Sequence, residues 1–427
     1  MTARRRVCIT GIGIVSPLGN CRESSWHNVV AGRSAAGPIT RFDASTWPTQ
    51  FACEVSQEFS LEEDALLPQH LPILNHAAQF GVMAAKEAMA DAAFEVPLPP
   101  ERLGVCMGAG IGAIQPLQLA TILSSMGKLN PEQQARCAQL AEEEMKGLLL
   151  RNHPATLGSI LAARWGAQGP VNTIHTACAS SGQSLGQALM HVRRGDADVI
   201  LAGGADSLAS ELLLAGFCLL GALSTRNDDP QGASRPFDKD RDGFVAGEGA
   251  AMLIVEEKDH ALRRGAKIYC EFAGYGETES AYRITDLPEN GRGCVEAMHG
   301  AVLDGGIDHG EVDYINAHGT STELNDRVEA LSVRRVFGAR GVNPFVSSTK
   351  SEIGHLISAA GAMEAAFCAL AIRDGAVPPT RNLSRTDCGE DINFVAGESR
   401  KFPVRAALSN SIGFGGSNSV VALKRDI

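Results

Sequence analysis

The stretch Val171-Asn-Thr-Ile-His-Thr-Ala-Cys178-Ala-Ser-Ser-Gly-Gln-Ser-Leu-Gly-Gln-Ala-Leu-Met190 changes character at its cysteine. Ahead of Cys178, β-branched and small residues read as a short buried strand; beyond it, small residues lead into Leu185, Leu189 and Val192 at helical spacing. Cys178 therefore falls at a strand-to-helix turn. At the first turn of a helix, unpaired amide N–H groups and the positive end of the dipole favour a thiolate, the nucleophilic form. A cysteine in such a turn is often only a small core residue. Here Ala177, Ala179, Ser180 and Ser181 leave the sulfur uncrowded, as attack on a bulky acyl group requires.

Composition bounds the setting. With 427 residues, 44% hydrophobic and 20% charged, the chain buries a large core, and length alone suggests two or three domains. A net charge of -11 argues against nucleic acid or an anionic membrane as a general partner, while leaving room for a local basic patch that meets an acidic protein. Eleven cysteines, an odd number without a CxxC pair, read as reduced thiols in the cytoplasm rather than a disulfide framework. The basic start, Met1 to Arg6, precedes an apolar run interrupted by Gly11, Gly13, Pro17 and Gly19. It reads as a strand and turn, not as a leader or membrane segment.

Further along, Arg6 to Val15 predicts a first strand, Ser24 to Ala31 a short helix, and the passage to about Glu54 a surface loop. Helix is expected around Ile73 to Ala92 and from Pro116 to Ala163, where Asn130-Pro131 marks a helix start. Strands are expected at Leu103 to Met107, Ala197 to Gly204 and Ala250 to Glu256. The second half replays the first. Lys267 to Gly276 resembles Arg6 to Gly13 as a strand ending in Gly-x-Gly, Val312 to Ala317 resembles Leu103 to Met107, and Phe345 to Thr349 resembles Val171 to Ala177. Gly243-Phe-Val-Ala-Gly-Glu-Gly before Met252 to Val255 is echoed by Gly413-Phe-Gly-Gly-Ser-Asn before Val420 to Leu423. This order predicts two α/β halves related by duplication, 1–260 and 261–427, fused without a linker.

Two histidines stand where open α/β sheets place chemistry, at strand ends: Asn316-Ala-His318-Gly-Thr-Ser-Thr322 and Lys350-Ser-Glu-Ile-Gly-His355. Each alone reads equally as a hydrogen-bonded structural histidine; matching positions in duplicated halves favour a shared site. Lys350 is a surface cation or a partner for Glu364. The Gly413-Phe414-Gly-Gly-Ser-Asn418 loop is a strand-linking turn or a source of amide N–H groups for an oxyanion.

Taken together, Thr176-Ala-Cys178-Ala-Ser-Ser, Asn316-Ala-His318-Gly-Thr-Ser-Thr322, Ser348-Thr-Lys350-Ser-x-x-Gly-His355 and Asn410-Ser-x-Gly-Phe414-Gly-Gly resemble the β-ketoacyl-acyl-carrier-protein synthases of the thiolase-like superfamily, in particular the type II condensing enzymes. The resemblance covers nearly the whole chain. It implies a duplicated five-layer αβαβα fold, a homodimer or a heterodimer with a chain-length-factor-like partner, and substrates carried on the phosphopantetheine of an acyl-carrier protein, with no permanently bound cofactor or metal. It makes Cys178 the acyl-accepting nucleophile, His318 and His355 the pair that promotes decarboxylation, and Lys350 their support through Glu364. Thr320 and Thr322 would hold the phosphopantetheine arm and Phe414 would be the gate. Ile111 would line the acyl pocket, and the Cys178 and Phe414 amides would form the oxyanion hole. The reaction implied is decarboxylative condensation in fatty-acid or polyketide and polyene elongation.

The chain departs from that family between Ile111 and Cys178, which is longer than usual with an atypical 116–164 segment. Leu67 to His76 lacks the usual basic run, so Arg193 and Arg194 become candidates for carrier-protein docking, and Ile412 replaces a frequent aromatic residue. Two other readings are weighed. Gly108-x-Gly110-x-x-Ala113 after a strand fits the loose fingerprint of an NAD(P)-dependent oxidoreductase, though no clear acidic residue follows at a strand end about 20 positions on. Cys178, His318 and His355 would suit zinc, but they lack compact ligand spacing.

Overall fold

The computed structural model describes residues 4–56, 70, 73–110, 127, 130–132, 135, 147 and 150–426. Ten strands form one sheet: β1 Val7–Val15, β2 Leu103–Ala109, β3 Val171–Ile174, β4 Val199–Ser207, β5 Glu248–Glu257, β6 Cys270–Glu279, β7 Val312–Asn316, β8 Phe345–Ser347, β9 Ala406–Ile412 and β10 Ser417–Lys424. Their spatial order is β8-β7-β9-β10-β6-β1-β5-β4-β2-β3. Read from either edge inward, the order is the same, each strand of the first half answering the one five places later. The two halves meet where β1 pairs with β6 at only two positions, Cys8 with Glu271 and Ile9 with Cys270. The replay legible in the sequence is therefore a structural duplication.

Six helices cover and separate these half-sheets: α1 His76–Ala92, α2 Thr156–Trp165, α3 Ser180–Arg194, α4 Arg292–Asp304, α5 Glu323–Val336 and α6 Ala360–Asp374. α1 and α2 pack outside the first half-sheet, α4 outside the second with α5 packed on it, and α3 and α6 lie between the two. This is the expected five-layer thiolase-like stack. Alternation along the strands explains it, because successive side chains leave a strand on opposite faces. In β5, Met252 and Ile254 enter the outer core with α1, while Leu253 and Val255 enter the central core. In β10, Val420 and Ala422 face the other outer core and Val421 and Leu423 the centre. With both faces buried, the strands read as continuous apolar runs.

Central helix α6 is apolar around its whole circumference, and every residue from Ala360 to Ile372 is buried. Such a helix needs protein on all sides. Its one charge in that span, Glu364, must find a partner inside. The recurrent Gly-x-Gly of β1 and β6 has a packing cause: a Cβ at Gly13 would overlap the Ala84 carbonyl of α1, and one at Gly276 the Ala297 carbonyl of α4.

One expectation changes. The passage before Glu54 is not merely a surface loop, since Phe51 and Ala52 form a buried strand and Arg41 forms an ion pair with buried Glu248 of β5. Ile111, most of 116–164 and half of Leu67 to His76 lie outside the described residues. Among the described residues, no helix is long and apolar enough to cross a membrane.

Candidate active site

Cys178 sits in a 3-10 turn, Ala177–Ala179, that leads from the end of β3 into α3. Ala177 takes φ 48°, and the Ser180 hydroxyl closes the turn by donating to the Ala177 carbonyl at 2.7 Å. The position matches the sequence expectation, but the resting thiolate does not. Cys178 is only 4% exposed, and burial pushes its thiol up to about 12, against the opposing pull of Lys350 and of the Phe414 N–H aimed at the sulfur. Desolvation outweighs the helix terminus, so the sulfur rests protonated.

The two histidines arrive from the second half. His318 follows β7 directly, and Glu329 of α5 accepts both the His318 N–H and the Gly319 N–H at 2.8 Å, with Asn410 donating to the same carboxylate at 2.9 Å. His355 is pinned by its own backbone: its N–H donates to the Val245 carbonyl at 2.8 Å, and its carbonyl accepts from Gly247 at 3.1 Å. The imidazoles meet edge to face with centroids 5.2 Å apart, and the Phe244 ring packs on His355 at 5.4 Å. His355 Nε2 lies 3.1 Å from Cys178 Sγ.

Hydrogen-bond partners assign the tautomers. The Ile357 N–H donates to His355 Nδ1 at 3.2 Å, so the proton of that ring is on Nε2. Lys350 Nζ, 3.4 Å from His318 Nδ1, has donors to offer and so leaves the His318 proton on Nε2 as well. Burial, then the Lys350 charge, holds both imidazoles well below the usual histidine range, and they are neutral. Lys350 also donates to Glu364 Oε1. Burial raises the Glu364 carboxyl to about 7 against the opposing lysine.

These groups open on a cavity of about 450 Å³ lined by Cys178, His318, His355, Thr320, Thr322, Ile412 and Phe414, among others. The Thr320 and Thr322 hydroxyls are 2.9 Å apart. Arg241, also on the wall, bonds the carbonyls of Thr322 and Glu323 and an Asp387 carboxylate oxygen, which fixes the threonine loop. Every described residue proposed from the sequence is thus gathered in one place except Arg193 and Arg194. Arg193 is half-buried against Asp304 and the Ala273 carbonyl, and Arg194 pairs with Asp196. Both lie at the far end of α3, roughly 20 Å from Cys178 at 1.5 Å per residue, and do not serve the cavity. Glu329, Arg241 and Phe244 were missed. The one available signal was Asp326 and Glu329 three apart on the helix right after Thr322, both facing inward.

The rival readings lose their footing here. A Cβ at Gly108 would overlap the start of α3 and one at Gly110 the Asp206 carboxylate, so these glycines permit close packing and cradle no phosphate. Cys178, His318 and His355 do bring three potential ligand atoms within 4.8 Å of one another. Both inward-facing nitrogens carry protons in these tautomers, however, and Lys350 adds a positive charge where a cation would sit, with no carboxylate in the set.

A duplicated thiolase-like fold with one cysteine at a central helix start and two neutral histidines beside it defines a condensing-enzyme site. Comparisons with known proteins agree. The chain matches the β-ketoacyl synthase N-terminal domain over residues 4–261 and the β-ketoacyl synthase C-terminal domain over 269–384. It is 40% identical to the 3-oxoacyl-[acyl-carrier-protein] synthase 2 of Coxiella burnetii, over 99% of both chains. It is 38% identical to the actinorhodin polyketide putative β-ketoacyl synthase 1 of Streptomyces coelicolor, over 99% of this chain and 89% of that one. Among solved structures, the ishigamide ketosynthase/chain length factor matches with a TM-score of 0.85 and 32% identity over the full length of both. A ketosynthase solved with its type II PKS acyl-carrier protein, AntDE:AntF, matches with a TM-score of 0.84 and 31% identity, over 99% of this chain and 100% of that one. The chain belongs to the β-ketoacyl synthase family.

Proposed function

We propose that the protein elongates acyl chains by decarboxylative condensation, with the acyl group on Cys178 and both substrates delivered by an acyl-carrier protein. The observation that carries this is the pair of Nε2–H donors beside an uncrowded cysteine sulfur. In loading, Cys178 Sγ attacks the carrier thioester, and its proton leaves with the departing pantetheine thiol; the Cys178 and Phe414 N–H groups receive the oxyanion. The Thr320 and Thr322 hydroxyls hold the amides of the arm, and Phe414 is the gate. Next, the malonyl C–C bond breaks, CO2 departs, and the enolate oxygen accepts hydrogen bonds from His318 and His355. Neutral donors suit this step because they stabilise the enolate without protonating its carbon. That carbon attacks the acyl-cysteine carbonyl, releasing the β-ketoacyl carrier thioester and the Cys178 thiolate, which regains a proton from water.

The halves 1–260 and 261–427 supply the nucleophile and the histidines respectively, and the setting is the cytoplasm, in keeping with ten described cysteines that are all free. The active form is a homodimer. The β8 edge is covered by residues 393–395, which bond to Val346, whereas its counterpart β3 pairs only with β2 among the described residues and leaves Val171 42% exposed. An open strand edge is a template for a second chain.

The test is intact-mass analysis of protein offered carrier proteins bearing acyl groups of several lengths, followed by malonyl-carrier protein. A covalent acyl adduct that disappears with CO2 release is expected. Release of β-ketoacyl product with no adduct at Cys178 would overturn the reading.

A further inference from the structure

Behind His355 lies a carboxylate with no part in the chemistry above. Asp206, at the end of β4, is buried and forms no ion pair with a lysine or arginine among the described residues. Its Oδ2 accepts the Ser358 N–H at 3.0 Å and its Oδ1 the Ser207 N–H at 2.9 Å. A carboxylate withdrawn from water onto amide donors is costly, and Gly110 is kept bare to make room for it.

The turn it grips is strained. Ile357 sits at φ 40°, a left-handed conformation that a β-branched residue adopts at a cost on the order of 1–3 kcal/mol. Within this turn the Ile357 N–H points at His355 Nδ1, 3.2 Å away. The duplication supplies the contrast: Ala177, the counterpart of Ile357, has a similar φ, but there the local Ser180 hydroxyl closes the turn and no carboxylate among the described residues reaches in.

We propose that Asp206 is a positioning residue: by anchoring the Ser358 N–H it holds Ile357 left-handed, so that the Ile357 N–H keeps the proton of His355 on Nε2, facing the enolate. This rests on His355 acting as a donor, as proposed above.

The test combines two readouts on Asp206→Asn, which keeps the size but offers one acceptor oxygen where two are used. With histidine 15N-labelled, the ring nitrogens of His355 should report the Nε2–H tautomer in the wild type and a shift away from it in the variant. CO2 release from malonyl-carrier protein should fall about tenfold or more, while acyl transfer to Cys178 falls less than about threefold. Glycine adopts φ above zero without strain, so in an Ile357→Gly background the same Asp206→Asn change should cost far less. An unchanged tautomer in Asp206→Asn, or an equal loss of CO2 release in both backgrounds, overturns the proposal. If Asp206→Asn yields no folded protein, Gly110→Ala displaces the carboxylate from the other side and is judged by the same readouts. The tautomer measurement needs no substrate. A wild type that releases no CO2 would therefore sink the functional reading without deciding this one.

Discussion

At the scale of single residues, the site separates a thiol that must lose a proton from two imidazoles that must not gain one. Cys178→Ala should abolish acyl loading and condensation by intact mass while leaving the fold intact, since alanine suits the start of a helix; a condensation rate like that of the wild type would refute the nucleophile. Alanine at His318 or His355 should cut condensation on the order of 100-fold or more, as loss of an oxyanion donor does, while loading falls much less. Loss of loading with normal CO2 release would instead make that histidine a base for the thiol. Lys350 carries a pH signature. Glu364 is raised from 4.5 to about 7 in the fold, so between these values the folded state binds more protons than the unfolded one, and stability falls as pH rises through that window. Lys350→Met removes the charge that opposes the rise, so in urea titrations the fall should continue above neutral pH, with a slope of up to about 1.4 kcal/mol per pH unit.

At the scale of elements, the two outer helices approach their strands only because a glycine stands at each contact. Gly13→Ala and Gly276→Ala would each drive a methyl into helix backbone, which cannot swing aside. Each should lower stability by about 1–3 kcal/mol, as overpacking does. Gly300→Ala, inside α4 with its nearest neighbour 3.7 Å away, should be neutral or stabilising by up to about 1 kcal/mol. Urea midpoints for the three variants decide whether close approach, rather than glycine flexibility, sets these positions.

At the scale of the molecule, the sheet has one covered edge and, among the described residues, one open edge. Sedimentation velocity should give a species of about twice the 45.0 kDa chain, and Thr173→Pro, which removes an N–H from β3 and strains the strand, should shift it towards monomer. A wild type that is monomeric at micromolar concentration would refute the pairing. A shift to a larger species only when a related chain is added would favour the heterodimer.

The sequence by itself determined the duplication, the strand-to-helix turn at Cys178 and the residues that meet there, because these are written in local patterns: period-two and period-3.6 apolar spacing, glycines, and histidines at strand ends. It misjudged the charge state of Cys178, since the helix terminus is local and legible whereas the desolvation that outweighs it comes from residues scattered along the chain. It was silent on Asp206 for the same reason, and Glu329 was hinted at only by its spacing from Asp326. Each is one carboxylate among 49 acidic residues, and its role is plain only when the fold buries it against particular N–H groups. Arg193 and Arg194 lie away from the cavity because a helix sets its two ends far apart, a distance the sequence states but whose direction only the packing of α3 between the two half-sheets decides.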